Sequence, residues 1–185
     1  MRSFCPRFFL IVIALLWGMT VLAGCSKARE EAKARQLMES FSQHFESEFT
    51  CTLDGLELEG RISRPDPGSG LVEITAPQSL AGLTYRVDAD HVEISYSGLN
   101  FALDKAAGGF AELSPFPRAL GALSTLLTYR PEELPVRERD FWRIDATVDG
   151  KKCSLLVAQD TGLPVKLLLE GGDLELLLKN FTFLG

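Results

Sequence analysis

Histidine occurs only twice in this chain of 185 residues, at His44 and His91. Cysteine occurs four times and no CxxC pair is present. A zinc site therefore has no visible ligand set. GxSxG, HExxH and a glycine loop opening a helix to cradle phosphate are all missing. No cofactor is implied, and low-complexity segments and internal repeats are absent too. Basic charge is also scarce. Residues 1–24 hold Arg2 and Arg7 and no acid, so without them 17 of the 19 basic residues face 25 acidic ones, a formal charge of −8 against −6 for the whole chain. That excess excludes nucleic acid, whose binding rests on neutralising phosphates with Lys and Arg. It also argues against lying flat on an anionic bilayer through a basic face. Solubility is a sufficient reason for the acidity.

The two histidines do not build a catalytic group. His91 follows Asp88-Ala89-Asp90 in an expected exposed turn, poor ground for a preorganised base. His44 falls where a helix should give way to a strand, and reads as a surface side chain. Asp54, Asp149 and Asp160 stand in glycine-containing turn sequences and read as turn formers. The chain is expected not to be an enzyme.

What is present begins at the N-terminus. Arg2 and Arg7 precede Phe8 to Val21, an uncharged apolar run of 14 residues. The small residues Ala23 and Gly24 follow. This is the charged, apolar, small-residue order of an export signal. The run falls short of the ~20 residues that span a hydrocarbon core as a helix. Leu22-Ala23-Gly24-Cys25 resembles the lipobox of bacterial lipoproteins. The resemblance implies diacylglyceryl attachment at Cys25, cleavage before it and a mature chain of 25–185. Two acyl chains suffice for stable anchoring. The alternative is an uncleaved N-terminal membrane helix with an incidental cysteine. Both place the remaining chain on the extracytoplasmic face, at the plasma membrane or at an outer membrane if a second one exists.

About 160 residues fit one domain. Cys51 and Cys153 remain after Cys5 and Cys25 are set aside, and both fall on inward strand positions. An exported compartment permits a disulfide between them; burial as small hydrophobes is the other reading.

Turn signals recur at short intervals. Asp54-Gly55 and Asp149-Gly150 mark two-residue hairpins. Pro65 to Gly70, Asp88 to Asp90, Ser97-Gly98, Asp160 to Gly162 and Gly171-Gly172 are further breaks. Between them run short alternating segments, the pattern of antiparallel strands with one packed face. Phe41, Phe45, Phe49, Cys51 and Leu53 share a face, with Gln43 and Ser47 as exceptions. Sets such as Val72-Ile74, Tyr85-Val87, Phe101-Leu103, Trp142-Ile144 and Leu174-Leu176-Leu178 follow. About ten strands are expected. Ala34, Leu37, Met38 and Phe41 carry helical spacing, as do Phe116, Leu120, Leu123 and Leu127. Ser114 is placed to cap the second helix and Pro131 to stop it. The fold class is mainly β (α+β) with two or three helices. It is a curved antiparallel sheet or unclosed barrel with a helix on its concave face.

This order of elements resembles the LolA/LolB-like lipoprotein-carrier fold, in which an N-terminal helix precedes an unclosed barrel and helices lid an apolar cavity. Asp160-Thr161-Gly162-Leu163-Pro164 is the most family-like stretch, and Leu53 to Gly60 resembles small lipoproteins of this type. The resemblance implies a cavity for a lipid or acyl chain. Tyr85, Tyr96, Phe101, Leu120, Leu127 and Trp142 are the candidate lining residues, and a plain packed core accounts for the same six. The alternative is a structural or interaction domain that docks another envelope protein. Leu168 and Leu177 point there, because they sit on the face opposite the inward leucines. Helix one or the chain end packing outside is expected to cover them.

Overall fold

The computed structural model describes residues 27–88, 90–104, 115–128, 134–148, 150–170 and 174–184. Cys25, Ser114, Pro131, Asp149 and Gly171-Gly172, singled out above, lie outside them. Helix α1 covers residues 27–39. Six strands follow: β1 (Phe45–Leu53), β2 (Leu56–Arg64), β3 (Gly70–Ala76), β4 (Thr84–Val87), β5 (His91–Tyr96) and β6 (Leu99–Asp104). Helix α2 (Pro115–Leu126) then leads to β7 (Val136–Glu138), β8 (Phe141–Val148), β9 (Lys151–Ala158), β10 (Pro164–Leu169) and β11 (Leu174–Phe183).

All eleven strands form one antiparallel sheet in the order β6-β5-β4-β3-β2-β1-β11-β10-β9-β8-β7. Two meanders therefore meet at the centre, where β1 pairs with β11. The first meander ends at one edge, on β6, and the second begins at the other, on β7. Helix α2 lies between them in sequence, so the chain has to cross the sheet. It crosses the apolar face, touching β2, β3 and β4 on one side and β8, β9 and β10 on the other. Topology thus places a helix in the sheet's concavity.

Turn chemistry sets the registers. Asp54 and Gly55 have φ of 51° and 80°, and Ser97 and Gly98 have 50° and 81°. Positive φ at both centres is what a two-residue hairpin turn requires. The strand absent from the sequence reading is β7. Its three residues, Val136-Arg137-Glu138, are too few to show a period.

Strand β11 also runs further than Leu178. Its pairing with β1 shifts between Glu46 and Glu48, where Lys179 and Thr182 are the flanking partners. The extra residue is on β11, and Asn180 there has φ of 52°. Asparagine tolerates this left-handed conformation. The bulge resets the alternation, so Phe181 is buried although it is an odd number of residues from Leu178. Phe181 stacks on Phe45 at 5.5 Å and meets Phe183 edge-on at 5.2 Å. Ser47, an inward polar residue, lies at the same irregularity. Its hydroxyl donates to the Lys179 backbone oxygen at 2.9 Å, which satisfies a buried polar group.

The core lies between the sheet and the two helices. α2 buries Phe116, Ala119, Leu120, Ala122, Leu123 and Leu126, and α1 buries Ala34 and Met38 in the same cluster. Phe116 packs between Phe49 and Tyr85, at 5.6 and 5.7 Å. Two glycines permit this approach. A Cβ on Gly70 would collide with the Leu120 side chain, and one on Gly60 with the Glu73 backbone oxygen and the Phe49 ring.

Candidate functional site

The concave face has a sealed part and an open part. Where α2 crosses, the interior is filled. Val72, Ile74, Leu155 and Leu167 are wholly buried beneath it. Between α1, α2 and β8, where Met38, Leu126 and Ile144 meet, the gap has no room for a water molecule. Four of the six candidate lining residues lie in this packed interior. Tyr85, Leu120, Leu127 and Trp142 are all buried.

The other two lie towards the β6 edge. Tyr96 is half-buried, and its hydroxyl donates to the Ser79 backbone oxygen. Phe101 lies across from Ile94, and Leu99 across from Tyr96. These side chains share the inward phase, yet Leu99 is 60% exposed and Phe101 57%. An inward residue of a curved sheet is expected to be covered. Here α2 sits over the strands nearer the centre, and the last inward positions form an apolar ledge. Alternation identified Phe101 as inward, but its exposure depends on where the helix lies.

A second feature escaped the sequence reading. Arg64 ends β2 on the phase of Leu58, Gly60 and Ile62, and pairs with buried Phe45. Its guanidinium therefore points to the concave side. It borders a cleft of about 300 Å³ formed with Gly68 to Gly70, Val87, Asp88 and the α2 residues Leu120, Gly121, Ser124 and Thr125. Desolvation lowers the pKa of Arg64 from its ordinary value. The signal in the sequence was a cation on an inward phase.

Arg118 is a charged residue on the buried side of α2. It is 7% exposed and donates from Nη2 to the Glu170 backbone oxygen at 2.8 Å. That bond ties α2 to the end of β10.

On the outer face, Leu177 is 43% exposed and Leu168 half-buried. The expected cover is not there. α1 faces the core, and its Glu30 pairs with Arg137 of β7 at 2.8 Å. The chain end runs on from β11, and the Leu184 N–H donates to the His44 backbone oxygen at 2.9 Å. Beside the leucines, Lys166 and Glu175 form an ion pair at 2.5 Å.

The remaining polar candidates are dispersed. His91 is exposed at the start of β5, 3.9 Å from Asp88. Asp54 occupies a hairpin turn, and Asp160 Oδ1 accepts from the Thr161 N–H. Among the described residues, no group of three or more His, Cys, Asp or Glu side chains converges. Cys51 and Cys153 are both buried, and no disulfide joins them. Three strand spacings separate β1 from β9, ~14 Å along the sheet, beyond the reach of a disulfide. Burial pushes the Cys51 thiol up from 9.0 to about 11. Among the described residues no helix is long and apolar enough to cross a membrane.

No family model matches this sequence, and no curated relative matches it. Several solved structures align with it along most of its length. A LolA superfamily protein from Nitrosomonas europaea superposes with a TM-score of 0.40 at 11% identity, over 82% of this chain and 94% of that one. An outer membrane lipoprotein-sorting protein domain from Vibrio parahaemolyticus gives 0.41 at 12%, over 83% and 91%. MucB in its complex with MucA from Pseudomonas aeruginosa gives 0.40 at 16%, over 82% of this chain and 54% of that one. At these values no ligand or partner transfers with the likeness.

Proposed function

We propose that this chain is a non-enzymatic binding module of the cell envelope that takes a lipid or acyl chain at the open end of its concave face. Residues 1–24 act as the export signal. Residues 25–185 form one domain, held at the extracytoplasmic face of a membrane by a diacylglyceryl group on Cys25. The observation that carries the reading is the ledge of Tyr96, Leu99 and Phe101. These side chains are apolar or aromatic, on the inward phase, and not covered as the rest of that face is. A ligand site needs a mostly apolar lining with few polar groups, and the ledge has that chemistry. An acyl chain can lie on it without disturbing α2. Reaching Tyr85, Leu120, Leu127 or Trp142 requires α2 to move, so those four belong to a deeper, second stage of engagement.

The test starts from the full chain purified under mild conditions and extracted with organic solvent. Stoichiometric lipid in the extract supports the reading, as does saturable binding of an apolar dye displaced by a fatty acid. A chain that yields no lipid and binds no dye refutes it.

A second reading rests on a different observation. β6 is a sheet edge of six residues, Leu99-Asn100-Phe101-Ala102-Leu103-Asp104, with no lysine, no proline and no register shift. Natural edges usually carry such protection. An envelope protein adding a strand to β6 would use the backbone groups of that edge for affinity and the ledge for selectivity. Capture of a single envelope protein by a ligand-free chain, lost when β6 is altered, distinguishes this reading from the first.

A further inference from the structure

Arg64 has a chemical problem that the fold leaves unsolved. A guanidinium carries five N–H donors and no acceptor. Buried donors in folded proteins are nearly always bonded. The Nε of Arg64 is buried without a partner, and no described residue gives its side chain a hydrogen bond or an ion pair. It is half-buried against the cleft described above, with apolar Leu120 and Val87 on the walls and the Ser69 and Ser124 hydroxyl-bearing residues on the lining. The one carboxylate at the cleft, Asp88, is engaged elsewhere. Its Oδ1 accepts from the backbone N–H groups of Asp90 and His91, at 3.0 and 2.7 Å.

A second observation is independent of the first. Gly121 interrupts α2 at mid-helix, where glycine costs ~1 kcal/mol relative to alanine. Close packing does not demand it. A Cβ there would meet nothing within 4 Å. The missing side chain leaves the cleft open in front of Arg64.

We infer that Arg64, with the α2 face around Gly121, forms a binding site for an oxyanion, a carboxylate or phosphate group, whose apolar neighbour rests on Leu120 and Val87. An oxyanion supplies the acceptors that Arg64 lacks, in the planar geometry that guanidinium groups match. This chain is acidic, with a net charge of −6, and inward Arg118 already donates to the Glu170 backbone oxygen, so the charge of Arg64 selects the anion locally. The site is separate from the β5–β6 ledge, and each stands without the other. The oxyanion has two sources, a lipid headgroup or a free anion.

The experiment uses the full chain in a non-ionic detergent, with thermal unfolding read against titrations of inorganic phosphate, dodecyl phosphate and, as the uncharged control, dodecanol. Saturable stabilisation by dodecyl phosphate well above that by phosphate, with none from dodecanol, assigns a lipid headgroup. Equal stabilisation by the two phosphates assigns a free anion, and both results support the site. Arg64→Gln is expected to weaken binding about tenfold or more, as for a lost hydrogen bond to a charged group. It removes a desolvated charge, so the variant should fold at least as well as the parent. Gly121→Leu keeps Arg64, fills the cleft from a helix position with room for its Cβ, and is expected to abolish binding. No saturable effect of either phosphate overturns the inference. So does Arg64→Gln or Gly121→Leu binding as tightly as the parent.

Discussion

A single atom can show what a buried position costs. The Cys51 sulfur lies on the inward face of β1, and burial holds its thiol at about 11 against 9.0 for the unfolded chain. Only the unfolded chain ionises this group between those values. Its contribution to stability is complete below pH 9, falls as pH rises, and is gone above about 11. Two units at ~1.4 kcal/mol each put the loss near 3 kcal/mol. Chemical denaturation of the parent and of Cys51→Ala across this range should show the parent losing that much more. Parallel pH curves would mean the thiol is not desolvated. The thiolate is the reactive form, so Cys51 should also resist alkylation at neutral pH until the chain unfolds. A buried inert thiol and a buried disulfide are alike in a sequence, because both ask only for an inward strand position. Only the strand order, with β11 and β10 between β1 and β9, separates them.

Elements were legible wherever a period ran long enough to be seen. Hairpins such as Asp54-Gly55 declare themselves because positive φ at both centres restricts the residues allowed. α2 declares itself by a proline start and leucines at helical spacing. Strand β7 does not, because three residues hold no period, and the end of β11 does not, because its bulge changes the phase. Asn180 is the residue that makes the change, and its side chain also donates to Glu48 Oε2 at 2.8 Å. Asn180→Val forces a β-branched residue into the left-handed region and loses that bond. It should cost roughly 1–3 kcal/mol in denaturant unfolding. Asn180→Gly keeps the backbone and should cost less than half as much. Equal costs would mean that the conformation is not what the residue is for. The candidate sites follow the same logic. Phe101 was legible as inward, whereas Arg64 and Gly121 are 57 residues apart and on different elements. They become one site only because α2 has to cross the sheet, a fact that no local pattern contains.

The whole molecule has two unequal edges. At one, β7 is three residues long, its Arg137 is paired with Glu30 of α1, and its Glu138 is bonded to Arg143 of β8. At the other, β6 is twice as long and uncharged except for Asp104. An exposed apolar residue is ordinary by itself, so exposure alone does not decide that the β6 ledge is a site. A matched pair of substitutions does. Val136 on β7 is 51% exposed, close to Phe101. Lysine at either position meets solvent and should change stability by no more than ~0.5 kcal/mol. Phe101→Lys places a charge on the ledge and should remove most of the apolar-dye binding. Val136→Lys should leave that binding as it is. If both substitutions reduce dye binding equally, the dye reports general surface hydrophobicity. The open end of the concave face then has no special claim to a ligand.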